Sequence, residues 1–174
     1  EFRRVLFRSQ IISASTHSKV RMYQRILVPF DGSIHSKKSL NHAIEIAKAS
    51  NGIIYLCTII SINPIVPPGS LFGLVKSASR AQLQKKLLTS AKKDAKLMEQ
   101  EQIAYCKSKG VAAHYKTIID GNVVEEILKF AKKKSVDLIV IGSQGLQKIN
   151  KIKILGSVSR KISELASCPV LIIR

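Results

Sequence analysis

Asp137-Leu138-Ile139-Val140-Ile141-Gly142-Ser143-Gln144-Gly145, followed after a basic loop by Gly156-Ser157-Val158, is the stretch whose reading decides the fold. A short apolar run bounded by turn residues is the pattern of a strand buried on both faces. Small residues follow it at once, and a second small-residue turn opens a helix. This arrangement supplies free backbone N–H groups and the positive end of a helix dipole, and both suit a phosphate chain. A nucleotide-binding domain is the expectation.

Working outward, short apolar runs alternate with helix-period segments from Met22 onward, the pattern of βαβ units and a parallel sheet. The first strand is expected over 25–30, closed by Asp31-Gly32-Ser33, and a helix over about 36–49 carries Leu40, Ala43, Ile44 and Ala47 on one face. Asn51-Gly52 ends that helix and a second strand fills 53–60. The segment 63–73 holds three prolines and two glycines and reads as a long crossover loop. A long polar helix over about 80–109 stops at Gly110, and a third strand over 112–119 turns at Asp120-Gly121-Asn122 into a helix that ends in Lys132-Lys133-Lys134. The last helix is placed at about 157–166 and a closing strand at 169–173. Five strands and four helices make a single doubly wound α/β sheet with no linker dividing it.

Composition bounds the rest. A chain of 174 residues with 45% apolar and 5% aromatic content is most simply one soluble domain. No run reaches the roughly 18 apolar residues of a membrane span. Cys57, Cys106 and Cys168 are odd in number, widely spaced and form no CxxC pair, so reduced thiols in a cytoplasmic protein are expected. Residues 1–21 stand apart. Residues 1–9 resemble the translated tail of a sequencing-library adapter, 10–21 are polar and Ser-rich, and Met22 is the expected native start of a domain over 22–174. Setting aside the five Lys/Arg and one acidic residue of 1–21 lowers the net charge from +18 to +14. That charge favours polyanionic partners without specifying one. With no RNA-binding aromatic signature, zinc finger or basic zipper, nucleic-acid binding is the minority reading, and Lys92-Lys93 and Lys132–Lys134 read as solvated helix faces.

In open α/β sheets, ligands sit beyond the strands' carboxyl ends where the strand order reverses. If the first and fourth strands are neighbours, Asp31-Gly32-Ser33 and Gly142-Ser143-Gln144-Gly145 flank one crevice. The glycines permit close backbone approach and positive φ. Ser157 is expected to cap the final helix and to offer its hydroxyl to a phosphate, with Lys148, Lys151 and Lys153 offsetting charge from the loop.

With these residues in hand, 22–174 resembles the universal stress protein family over its whole length. The likeness rests on Ile26-Leu27-Val28-Pro29-Phe30-Asp31-Gly32-Ser33, on Gly142-x2-Gly145 with Gly156-Ser157, and on the closing Cys168-Pro169-Val170-Leu171-Ile172-Ile173. The family's ATP-binding branch spaces its second and third glycines by nine residues, whereas ten stand here, Leu146 to Leu155. The resemblance implies a nucleotide-α-hydrolase-like sheet ordered 3-2-1-4-5, helices on both faces, and ATP at the switch between strands one and four, with magnesium as its possible companion. It implies that Asp31 holds the adenosine, that Ile59 offers backbone groups to adenine, and that Gly142, Gly145, Gly156, Ser157 and Val158 meet ribose and phosphates. Pro29, Phe30 and Ile141 complete the implied nucleotide-binding set. It also implies a homodimer paired through Val170–Ile173, and an unidentified protein partner is compatible with it.

Each element has a plainer reading. Asp31 alone is most simply a strand-end turn residue, Gly142 and Gly145 a tight turn, Gly156-Ser157 a helix start, and Ile59 core. The histidines His35, His42 and His114 lack metal-ligand spacing, and His35 is expected to face solvent at a helix start. No P-loop, GxGxxG fingerprint or nucleophile–base pair is present, so the expectation is a non-enzyme with at most slow ATP hydrolysis. The alternatives are a nucleotide-free scaffold of the same fold, and an adenylating enzyme, which Asp31-Gly32-Ser33-Ile34-His35-Ser36 does not equip with a pyrophosphate loop.

Overall fold

The computed structural model describes residues 22–61, 77–119, 121–146 and 155–174. The N-terminal extension, the 63–73 crossover, Asp120 and the lysines Lys148, Lys151 and Lys153 lie outside the described residues. The elements run β1 (Arg25–Pro29), α1 (Ile34–Ser50), β2 (Ile53–Ile60), α2 (Ser77–Ser108), β3 (Ala113–Ile119), α3 (Val123–Lys133), β4 (Leu138–Gly142), α4 (Ser157–Leu165) and β5 (Val170–Ile173). All strand pairs are parallel, in the order β3-β2-β1-β4-β5. The expected order and strand set therefore hold, and β1 and β4 are neighbours.

The two faces of the sheet follow from strand alternation. Ile26, Val28, Ile54, Leu56 and Val140 turn to one side and pack under Leu40, Ala43, Ile44 and Ala47 of α1 and Cys106 of α2. Leu27, Cys57, Ile139 and Ile141 turn to the other, against Ile127 and Phe130 of α3 and Ile162 of α4. The central strands β1 and β4 are buried on both faces, which is why they read as unbroken apolar runs. At the sheet's lower end, the Asp137 carboxylate accepts the backbone N–H groups of Gln24 (2.8 Å) and Arg25 (2.9 Å), pinning the amino ends of β1 and β4 together.

Helix starts are fixed by side chains where the sequence offers them. Ser33 Oγ accepts the Ser36 N–H at 3.1 Å and begins α1 two residues before the expected position. Asn122 Oδ1 accepts Val124 N–H (3.0 Å) and Glu125 N–H (3.3 Å) and begins α3. Asn51, in the left-handed conformation at φ 56°, ends α1. Among the described residues no helix is long and apolar enough to cross a membrane.

Candidate functional site

Parallel strands put every carboxyl end at one edge of the sheet, and the turns leaving β1 and β4 meet there. The Asp31 carboxylate joins them. Its Oδ1 accepts the Ser33 N–H (3.0 Å) in the first turn, and its Oδ2 accepts the Leu146 N–H (3.2 Å) in the second. Between the turns opens a cleft of about 510 Å³, within the roughly 300–1,000 Å³ usual for small-molecule sites. All ten residues singled out in the sequence line it: Pro29, Phe30, Asp31, Ile59, Ile141, Gly142, Gly145, Gly156, Ser157 and Val158.

The cleft has two chemically distinct halves. One is apolar, walled by Ile59 from β2, Ile141 from β4 and Val123 and Ile127 from α3. The other is the backbone-rich mouth formed by Gln144, Gly145 and the amino end of α4. Val123 and Ile127 were missed by the motif reading, although Gly121-Asn122 leaves a strand carboxyl end just as the two recognised turns do. Ser159, one residue beyond the motif, is buried and donates its Oγ to the Gly142 carbonyl at 2.6 Å, tying α4 to β4.

The structure corrects three expectations. Ser157 does not cap α4: Gly156 occupies the cap in extended conformation, no side chain bonds the helix end, and Ser157 is the first helical residue, exposed. Helix geometry then leaves the Ser157, Val158 and Ser159 N–H groups without intrahelical partners at the cleft mouth. The Gly156 N–H is already spent on the Ser143 carbonyl at 2.8 Å. Secondly, Gly142, Gly145 and Gly156 are not needed for positive φ; in the turns leaving β1 and β4, that property belongs to Gly32, at +81°. Thirdly, His35 does not simply face solvent. It is half-buried, and a Cβ on Gly142 would stand 2.7 Å from His35 Cβ and 2.9 Å from its carbonyl carbon.

Beneath the cleft, Thr58 Oγ1 donates to the Phe30 carbonyl at 2.6 Å and bonds Tyr115 Oη, holding the residue before Asp31 in place. Burial pushes the Cys57 thiol up to about 12, helped by the nearby Glu126 carboxylate and opposed by Lys116. That thiol is protonated at neutral pH and is no nucleophile. Cys106 and Cys168 are likewise unbonded, both with raised thiol pKa values caused first by burial. Among the described residues no three His, Cys, Asp or Glu side chains gather as a metal site.

The model of the universal stress protein family matches residues 22–174. A universal stress protein of Bacillus subtilis, YxiE, is 36% identical over 163 residues, covering 88% of this chain and 100% of the relative. Universal stress protein MJ0531 of Methanocaldococcus jannaschii is 31% identical over 166 residues, covering 94% and 89%. Among solved structures, universal stress protein UspA from Lactobacillus plantarum superposes with a TM-score of 0.73 at 22% identity, over 88% of this chain and 99% of that one. A universal stress protein in complex with cAMP (TM-score 0.60, 22% identity, 88% and 98% covered) and one from Archaeoglobus fulgidus in complex with dAMP (0.57, 21%, 88% and 99%) share the fold. The sheet order, the cleft at the β1/β4 switch and these likenesses lead to one conclusion: the chain belongs to the universal stress protein family.

Proposed function

We propose that this protein binds ATP in the β1/β4 cleft and acts as a nucleotide-dependent stress regulator in the cytoplasm, without being an enzyme in its own right. The observation that carries the reading is the pairing, in one cleft, of an apolar wall with a helix end that no side chain caps. A purine fits the first, between Ile59, Ile141, Val123 and Ile127. A phosphate chain fits the second, at the Ser157, Val158 and Ser159 N–H groups. Relatives of the same fold have been solved with cAMP and dAMP, which supports an adenine nucleotide as the ligand class.

Asp31 is a poor candidate base for hydrolysis, because both carboxylate oxygens already accept backbone N–H groups. Turnover is therefore expected to be slow at most. A magnesium ion would be held by the phosphates and water, since no acidic cluster stands among the described residues. Homodimerisation through the edge strand β5, Val170–Ile173, is part of the proposal, because that strand is an outer member of the sheet and its far side carries open backbone groups.

The test is to denature freshly purified protein and identify released nucleotide by mass spectrometry, with calorimetric titration of ATP, ADP and AMP alongside. Stoichiometric nucleotide or saturable binding near one per chain supports the proposal. A folded sample that holds none and gives no heat turns the reading to a nucleotide-free scaffold.

A further inference from the structure

The topology collects positive charge at the end of the molecule opposite the cleft. Parallel strands with crossover helices put every helix carboxyl end beside the strands' amino ends. Here the last turn of α2 carries Lys107 and the chain continues through Lys109, and the last turn of α3 carries Lys132 and Lys133 with Lys134 as its cap. The α2 end leads directly into the start of the edge strand β3, which itself exposes His114 and Lys116, and the α3 cap Lys134 reaches Tyr55, the β2 residue paired with His114. The helix dipole favours cations at such ends, each by about 0.3–1 kcal/mol. Five at two ends, with Lys116 exposed on β3, make a dense positive corner.

The acidic groups nearest these elements do not neutralise them. Glu126 bonds Lys129 at 2.8 Å, and the other ion pair among the described residues, Lys48 with Glu45 at 2.8 Å, lies on α1. Glu99 of α2 is felt at Tyr115 and stands about two helical turns before Lys107. Lys107, Lys109, Lys116, Lys132, Lys133 and Lys134 thus carry no ion pair among the described residues. Aromatic rings stand among the cations. Tyr55 of β2 stacks on His114 (centroids 5.6 Å apart, planes 22° apart) and meets the edge of Phe130, while Lys134 Nζ sits 5.6 Å from its centroid. On the face that α2 shares with α1, Lys109 Nζ lies 5.5 Å from the Tyr105 ring, whose hydroxyl donates to Asn41 Oδ1 of α1.

From this juxtaposition we infer that the amino-terminal corner of β3 is a binding surface for single-stranded nucleic acid. The lysines are placed to follow a phosphate backbone, and the exposed His114 ring, backed by Tyr55, offers a stacking face for a base. An anionic membrane would use the same charge but gains nothing from a stacked ring pair, so the aromatic geometry favours the nucleic acid. The surface is separate from the cleft and does not depend on what the cleft binds.

The test is fluorescence anisotropy of a labelled single-stranded RNA of about 20 nucleotides, titrated with the full chain at several salt concentrations. Four phosphate contacts give a slope of about −2.8 in log affinity against log salt, a loss of about 50-fold between about 50 and 200 mM KCl. The combined variant Lys109→Gln, Lys132→Gln, Lys133→Gln, Lys134→Gln should flatten the slope by about that amount, and His114→Ala should weaken binding at least about fivefold. A charge-matched variant, Lys85→Gln, Lys86→Gln, Lys92→Gln, Lys93→Gln, alters the far half of α2 and should bind much as the parent does. Thermal melts establish that each variant is folded, since all these lysines are exposed. Absence of binding at low salt, equal losses in the two quadruple variants, or binding only to phosphatidylserine vesicles would overturn the inference.

Discussion

Substituting Gly142 by Ala should destabilise the protein before any ligand is considered. The added Cβ would lie 2.7 Å from His35 Cβ and 2.9 Å from the His35 carbonyl carbon. Carbon atoms at contact prefer about 3.5–4.0 Å, so the first turn of α1 must retreat from β4 by about 0.8 Å or more. The obstacle is a Cβ and backbone, not the tip of a flexible side chain, so no rotamer change relieves it. The turn is held by the Ser33 cap and by the Ser39 Oγ bond to the His35 carbonyl at 2.8 Å. Overpacking of this kind costs about 1–3 kcal/mol. For a domain of this size that lowers Tm by about 2–12 °C.

Gly145→Ala supplies the internal control. Its Cβ would meet a single atom, Asp31 Oδ2, at 2.9 Å, and a carboxylate can rotate away. Its cost should stay under about 1 kcal/mol, with the Asp31–Leu146 bond as the casualty. Urea unfolding followed by far-UV circular dichroism measures both. If Gly142→Ala lies within about 0.5 kcal/mol of the parent, or matches Gly145→Ala, the contact with His35 is not what requires glycine at 142.

Three further outcomes are expected. Gly156→Val, whose Cβ would come 3.2 Å from the Ser143 carbonyl and whose methyls crowd the helix end, should abolish nucleotide binding by calorimetry while the circular dichroism spectrum keeps its native shape; unchanged affinity would remove Gly156 from the site. Asn122→Ala, which loses the cap of α3, should cost about 1 kcal/mol in urea unfolding, and no change would show that water replaces the cap. Because burial raises the Cys57 thiol from 9.0 to about 12, the unfolded chain holds fewer protons than the folded one between those values. Stability should therefore fall as pH rises above about 9, and more gently in Cys57→Ala, whereas equal slopes would assign the effect to other groups such as Cys106.

The sheet was legible because its pattern is local. Buried central strands give apolar runs such as Ile26-Leu27-Val28 and Leu138-Ile139-Val140-Ile141, and each helix that follows carries its own periodicity. Ser33 starts α1 two residues earlier than the apolar face suggests, because a helix begins at the cap whose carbonyl accepts the first intrahelical bond, here from the Lys37 N–H at 3.0 Å, and not at its first buried residue. The strand order was supplied by the family resemblance, since nothing local distinguishes β1 beside β4 from β1 at an edge. Val123 and Ile127 escaped because their place in the cleft depends on how α3 lies across β2, a tertiary fact with no motif of its own.

The glycines show most clearly where reading by type stops. A sequence presents Gly32, Gly142, Gly145 and Gly156 as one resource, conformational freedom near a ligand, yet each answers a different demand. Gly32 alone needs φ near +81°, with Met98 Sδ 3.2 Å from where a Cβ would be. Gly142 makes room for His35, more than a hundred residues away in the chain, and Gly145 for the Asp31 carboxylate that clasps the two turns together. Gly156 leaves the end of α4 bare, with no side chain to occupy the N–H groups there. Three of these four demands would exist with the cleft empty. A glycine pattern of this kind therefore testifies first to how the cleft is built, and the proposed ligand would draw only on the bare helix end that follows Gly156.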